Sequence, residues 1–305
     1  MRKVSIIVVF AIASAIITAC TSLYPTAGYN SGLSRRSADL VNGKNLAFNI
    51  CGQCHYNYQV GSFVGKEMRD LPGFMGKVYS SNLTKGHVLS QYSDEELFYL
   101  IKTGIAHDGH FIPYMIRPTI ADKDLTDIIA YLRTDDQPLT KNDSLPGTTK
   151  LSLLGKLAIK VGAKPQPIIT GIKQPEDNPL AKGKYLVDVL GCYHCHSKSI
   201  IGLNYTHPEA SKGYLAGGMK WKINGAQVHA SNITPDVSTG IGEYDTASFR
   251  KAVREGVGLN GLEPVGRKLH YPMPHFKRLT NEQVDAIYSY LYSLAPVHNK
   301  VKHQQ

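Results

Sequence analysis

One five-residue pattern, present twice, narrows what this chain can be more than any other feature. Cys51-Gly52-Gln53-Cys54-His55 is C-x-x-C-H, and Cys192-Tyr193-His194-Cys195-His196 repeats it. Thiols three positions apart share one helical turn. Each can form a thioether with a haem vinyl group while the next residue's imidazole reaches the iron. Two other readings compete. A redox pair of the thioredoxin type needs a βαβ setting, which neither motif has. A structural zinc would take both cysteine pairs but leave two motif histidines without a purpose. The double occurrence with the histidine in place favours covalent attachment of two haem c groups. Cys51, Cys54 and His55 would hold one, and Cys192, Cys195 and His196 the other.

The fifth cysteine, Cys20, belongs to a different feature. Arg2 and Lys3 precede an apolar run over 4–17, which is short for a membrane span and right for a signal peptide. The run ends in Ile17-Thr18-Ala19-Cys20, which resembles a bacterial lipobox. That resemblance implies cleavage after residue 19 and a lipid on the Cys20 thiol, with several acyl chains giving stable anchorage. An uncleaved anchor and ordinary signal cleavage are the alternatives. The chain is then expected at a bacterial membrane, facing the periplasm. Thr21, standing where an inner-membrane lipoprotein often carries Asp, tilts the expectation toward the outer membrane. Residues 20–37 read as a flexible tether, with Pro25, Gly28 and Gly32 among small polar residues.

Beyond the tether the chain repeats itself. Leu40, Gly43, Ala47 and Ile50 form one helical stripe running into the first motif. Leu180, Gly183, Val187 and Leu190 form the same stripe, with Gly191 as one extra residue before the second. Ser93 and Glu96 make a capping box ahead of Leu97, Leu100 and Ile101, and Gly104 stops that helix. Asp245, Phe249, Ala252, Val253 and Gly256 reproduce the arrangement. A third helix carries Leu125, Ile128, Ile129 and Leu132, matched by Val284, Ile287, Tyr288 and Leu291. An internal duplication accounts for the matched spacing. The predicted organisation is all-α: units over 38–135 and 178–296, each of three main helices around a haem, with a tail over 297–305.

The connection over 136–177 is too long to be structureless inside a compact protein. Leu151, Leu154, Ala158 and Val161 mark a short amphipathic helix with Lys156, Lys160 and Lys164 on another face. It is expected to pack as a strap over the haem units. The alternative is a basic helix on an anionic membrane surface.

Taken together, both units resemble class I cytochrome c domains, and the pair resembles the diheme cytochromes c that serve bacterial membrane-bound dehydrogenases. The matching residues are the two C-x-x-C-H motifs, Asn82-Leu83-Thr84, Asn232-Ile233-Thr234-Pro235-Asp236, the helices ending at Gly104 and Gly256, and the Tyr131-Leu132 and Tyr290-Leu291 pairs. Tyr271-Pro272-Met273-Pro274 is close to the loop in which that family carries its axial methionine, which implies Met273 as the sixth ligand of the second iron. Met115, in Pro113-Tyr114-Met115, occupies the corresponding loop of the more divergent first unit, with His107 and His110 as alternatives. Methionine there favours the ferrous state and raises the potential. Met75 and Met219 lie near glycines upstream of the Asn-x-Thr segments, where lining a haem pocket and filling the core are both open. His194 is expected at the surface. Asn82 and Asn232 would reach a haem propionate or fix a turn, and Trp221 a propionate or the core.

The implied role is an electron carrier between redox partner proteins, free or as the cytochrome subunit of a dehydrogenase. A diheme peroxidase, needing an open iron site, is the alternative. No nucleotide loop, catalytic triad or paired carboxylates offer independent chemistry. The formal charge of +10 is uneven. Residues 38–135 hold 9 basic and 11 acidic side chains, whereas 178–305 hold 15 and 9. With an export signal and no nucleic-acid motif, the excess is not a nucleic-acid signal; an acidic redox partner or a solvated surface with no partner is expected.

Overall fold

The structure, a computed structural model, describes residues 23–26, 37–175, 177–223, 225–259, 269 and 271–301. The signal segment, Cys20 and most of the tether lie outside the described residues, as do Arg267 and Lys268. Among the described residues no helix is long and apolar enough to cross a membrane.

Helices dominate. In the first half, α1 (Leu40–Leu46) leads through a π-helical turn (Ala47–Cys51) into α2 (Gly52–His55), and then come α3 (Asp94–Thr103) and α4 (Asp122–Leu132). A connecting helix, α5 (Leu153–Gly162), precedes the second half. There the helices are α6 (Pro179–Leu190), α7 (Cys192–His196), α8 (Thr246–Glu255) and α9 (Asn281–Tyr292). Strands are few. β1 (Gly76–Lys77) pairs antiparallel with β2 (Lys150–Leu151), and β3 (Lys220–Ile223) with β4 (Ala226–His229). The all-α expectation did not include these two ladders. The second closes through a short turn with Gly225 at positive φ.

Local chemistry explains where the helices begin and end. Ser93 Oγ accepts from Glu96 N–H while the Glu96 carboxylate accepts from Ser93 N–H, and Gly104 closes α3 in the left-handed conformation. Asp245 and Ser248 make the same reciprocal cap on α8, and Gly256 closes it. Thr280 and Gln283 do so for α9, whereas Ala121 gives α4 no side-chain cap.

The first and third main helices of each half cross at a glycine. A Cβ on Gly43 would lie 2.0 Å from the Asp127 carbonyl oxygen, and one on Gly183 would lie 2.0 Å from that of Ala286. Hydrogen at these positions lets the backbones touch. Around the crossings the predicted stripes are buried, except at their outer ends, where Leu40 and Leu180 remain exposed. A single cluster of buried apolar residues runs from Leu46 through Leu125 and Val187 to Leu291, so both halves share it. Polar contacts join them too. Tyr185 Oη donates to the Asp124 carboxylate and accepts from Ala121 N–H, Gln53 Nε2 donates to the Leu190 carbonyl, and the Arg278 guanidinium sits 4.1 Å from the centre of the Phe48 ring.

The connecting helix corrects one expectation. It does strap onto the first half, but through Gly155, whose Cβ would meet the Met75 carbonyl oxygen at 2.7 Å. Leu154 and Val161 of the expected buried stripe face outward. Met75 is 5% exposed and belongs to the core.

Candidate functional site

The two C-x-x-C-H motifs stand on helical turns reached by different routes. In the first half the π turn, which ends on Cys51, carries the helix without a break into the motif, and π turns concentrate at functional sites. In the second half α6 stops at Gly191, with φ at 78°, and α7 starts at the motif itself. The extra residue in the second copy therefore accompanies a helix break that the first copy lacks.

Matched hydrogen bonds hold the chain beyond each motif in register. His55 Nδ1 is 2.8 Å from the Ser81 carbonyl oxygen, and His196 Nδ1 is 2.8 Å from that of Ser231. An N–H must lie on Nδ1 to make that bond, which leaves Nε2 of each neutral ring with its lone pair for a metal. Gly65 N–H donates to the His55 carbonyl and Gly217 N–H to that of His196. Both glycines have positive φ and would place a Cβ 2.2 and 2.5 Å from the Ser80 and Ser231 carbonyl oxygens respectively, so the backbone behind each imidazole can close only without a side chain.

The Asn-x-Thr segments come next. Asn82 Oδ1 accepts from Thr84 N–H and Oγ1, and Asn82 Nδ2 donates to the Asn142 carbonyl. Asn232 accepts from Thr234 in the same two ways and donates to the Val297 carbonyl. Of the two roles open to these asparagines, the structure supports the turn. Each also ties the chain beyond the third main helix back behind its motif.

A cavity opens beside the second motif. Cys192, Cys195 and His196 line it, and so does Met273 from the loop between α8 and α9. Its walls are largely apolar, with Ile233, Phe249, Val253 and Leu291 among them. Trp221 on β3 also faces it, while Lys220 and Lys222 on the same strand are exposed. In the first half, Met115 ends a short 3-10 turn (Pro113–Met115) and is half-buried against the core that also receives Cys51.

Burial shapes the chemistry. It pushes the thiols of Cys51, Cys192 and Cys195 up to about 12 and keeps them neutral. It lowers the basicity of His55 and His196, against the opposing pull of the Ser81 and Ser231 carbonyls. A thiolate redox pair needs a lowered thiol pKa, which these buried cysteines do not have. Among the described residues no three of His, Cys, Asp and Glu gather as a metal site. An apolar cavity with a histidine, a methionine and two thiols on its walls does fit a covalently held haem.

Arg117 was not anticipated from the sequence. Its charge lowers the pKa of Cys51, Cys54 and Cys195 against the dominant effect of burial, so it stands close to both motifs. His194, expected at the surface, instead lies against Gly191, Tyr193 and Tyr205, near Arg117. Its Nε2 is buried without a hydrogen-bond partner, and burial pushes its pKa well down. Arg117 of the first half thus lies beside the second motif, which one half's sequence could not show.

No protein-family model matches the chain. Curated relatives do. The chain is 34% identical over 127 residues to the gluconate 2-dehydrogenase cytochrome c subunit of Pantoea cypripedii, covering 41% of this chain and 25% of the relative. It is 34% identical over 119 residues to the alcohol dehydrogenase (quinone) cytochrome c subunit of Gluconacetobacter polyoxogenes, covering 38% and 22%. It is 31% identical over 147 residues to the fructose dehydrogenase cytochrome subunit of Gluconobacter japonicus, covering 47% and 26%. The chain thus matches about a quarter of the length of these relatives, all cytochrome subunits of dehydrogenases.

Proposed function

We propose that this chain is a diheme c-type cytochrome that passes electrons one at a time between redox partners outside the cytoplasm, as the cytochrome subunit of a dehydrogenase. Its two haem units would span 38–135 and 178–296. The observation that carries the reading is the duplicated setting of His55 and His196. The same carbonyl contact, the same glycine and the same Asn-x-Thr turn recur behind both imidazoles. The relatives' cytochrome subunits support the partner class.

In this reading Cys51, Cys54 and His55, together with Met115, would hold one haem, and Cys192, Cys195 and His196, together with Met273, the other. Bound haem supplies the one-electron couple, and the protein tunes it through ligand, burial and charge. The chain's own residues do the rest. The Ser81 and Ser231 carbonyls fix the tautomer and angle of each imidazole. Pro272 and Pro274 fix φ on either side of Met273, so little backbone freedom is lost when that residue is presented. Phe249, Val253 and Leu291 keep water from the second site. Arg117, close to both motifs, favours electron arrival at either. The N-terminal segment is read as a lipoprotein signal, with Cys20 lipidated at the periplasmic face of a membrane, the outer one favoured.

Filled sixth positions on both irons are testable in the unmutated protein. The ferric form is expected to show a far-red sulfur-to-iron band from both haems. The reduced form is expected to leave carbon monoxide unbound. Ready carbon monoxide binding at one haem, with catalytic consumption of peroxide, would contradict the carrier role.

A further inference from the structure

The connecting helix α5 presents to solvent the side chains a strap would bury. Leu153 is 66% exposed, Leu154 64%, Leu157 45% and Val161 75%. At about 100° per residue these four side chains fall within an arc of about 100°. Gly155 lies opposite, seated on Met75, with Ala158 and Ile159 half-buried on either side. Lys156 and Lys160 are exposed and flank the apolar arc on one edge. Phe74, whose carbonyl accepts from Ser152 Oγ at the helix N-terminus, adds a ring that is 52% exposed. So the helix is fixed to the protein along one line and carries an aliphatic face with a cationic border on the other.

We propose that α5 lies in the plane of an anionic lipid bilayer. Leu153, Leu154, Leu157, Val161 and Phe74 would enter the acyl boundary, and Lys156 and Lys160 would meet the headgroup phosphates. The composition of the face favours lipid over a protein partner. Protein hot spots are built from Trp, Tyr and Arg in pockets, with Leu and Val under-represented and Lys depleted from interfaces. In-plane helices join a Leu- and Phe-bearing face to lysines that pair with anionic lipid. Lipid also needs no matching shape, and this convex ridge offers no pocket. In sequence the stripe lacks an aromatic residue, which speaks against lipid. The fold brings an exposed one, Phe74, to the N-terminal end of the helix, far from it along the chain.

Hydrogen exchange on the full chain tests this locally, whatever holds the N-terminus. The protein is purified in detergent, then reconstituted into vesicles of phosphatidylcholine alone or with phosphatidylglycerol. With each lysine worth about 1 kcal/mol near an anionic surface, amides over 153–162 should exchange roughly tenfold or more slowly on the phosphatidylglycerol vesicles. Raising the salt to about 0.5 M should remove most of the difference. Leu154→Ser with Val161→Ser should abolish it, and so should Lys156→Glu with Lys160→Glu. None of these exposed positions touches the Gly155 seat, and unchanged exchange in α4 and α9 would show that the fold is intact. Equal exchange on the two kinds of vesicle, or full protection retained in both double variants, would overturn the proposal.

Discussion

At the scale of single residues, the methionines have different surroundings. Met273 shares a cavity with His196, Met115 ends its turn half-buried, and Met75 is a core residue beneath Gly155. Met273→Ala is expected to remove the second haem's part of the far-red band, lower that haem's potential and open its iron to carbon monoxide. Met115→Ala should do the same for the first haem. Met75→Ala should change neither spectrum nor potential but cost about 2–5 kcal/mol of stability through the cavity it leaves. Spectra and redox titration of the three variants check this. A far-red band that survives Met273→Ala unchanged would remove Met273 from the iron. The motif cysteines and histidines were legible because five adjacent residues carry the whole signal. The place of Arg117 and the buried Nε2 of His194 were not, because both depend on contacts made by residues distant in the chain.

At the scale of elements, the two glycine crossings decide how closely each pair of helices packs. A methyl group at Gly43 or Gly183 has no room to relax, since its nearest neighbour would be a backbone carbonyl rather than a flexible side chain. Gly43→Ala and Gly183→Ala are each expected to cost about 1–3 kcal/mol, read by chemical denaturation. An unchanged midpoint in both would show that the helices are not held at contact. Helix existence, the capping boxes and the buried faces could be read from the chain because they rest on local spacing. The π turn before Cys51 could not, since nothing in Ala47–Cys51 distinguishes it from ordinary helix. The β1–β2 ladder joins residues more than seventy positions apart and leaves no pattern in either segment. The outward face of α5 was misjudged for a related reason. An apolar stripe shows that a helix has two faces, but a lone Gly155 meeting Met75 decides which one is buried.

At the scale of the whole molecule, the repeat is the organising feature. Two copies of one imidazole setting lie in a protein whose buried core runs through both halves, with Arg117 near each motif. The basic excess of the second half is partly neutralised internally, as Lys182, Lys184 and Arg250 pair with Glu282, with Asp188 and Glu209, and with Asp285. Lys220 and Lys222 stay exposed on either side of Trp221, on the strand face away from the second cavity. Electron transfer through both halves requires that both motifs carry covalent haem. The intact mass of the mature protein, taken in acid and organic solvent, tests that most directly. The expected result is the polypeptide mass plus two haem groups, with Cys54→Ala weakening attachment at the first site alone. A mass carrying one haem or none would contradict it.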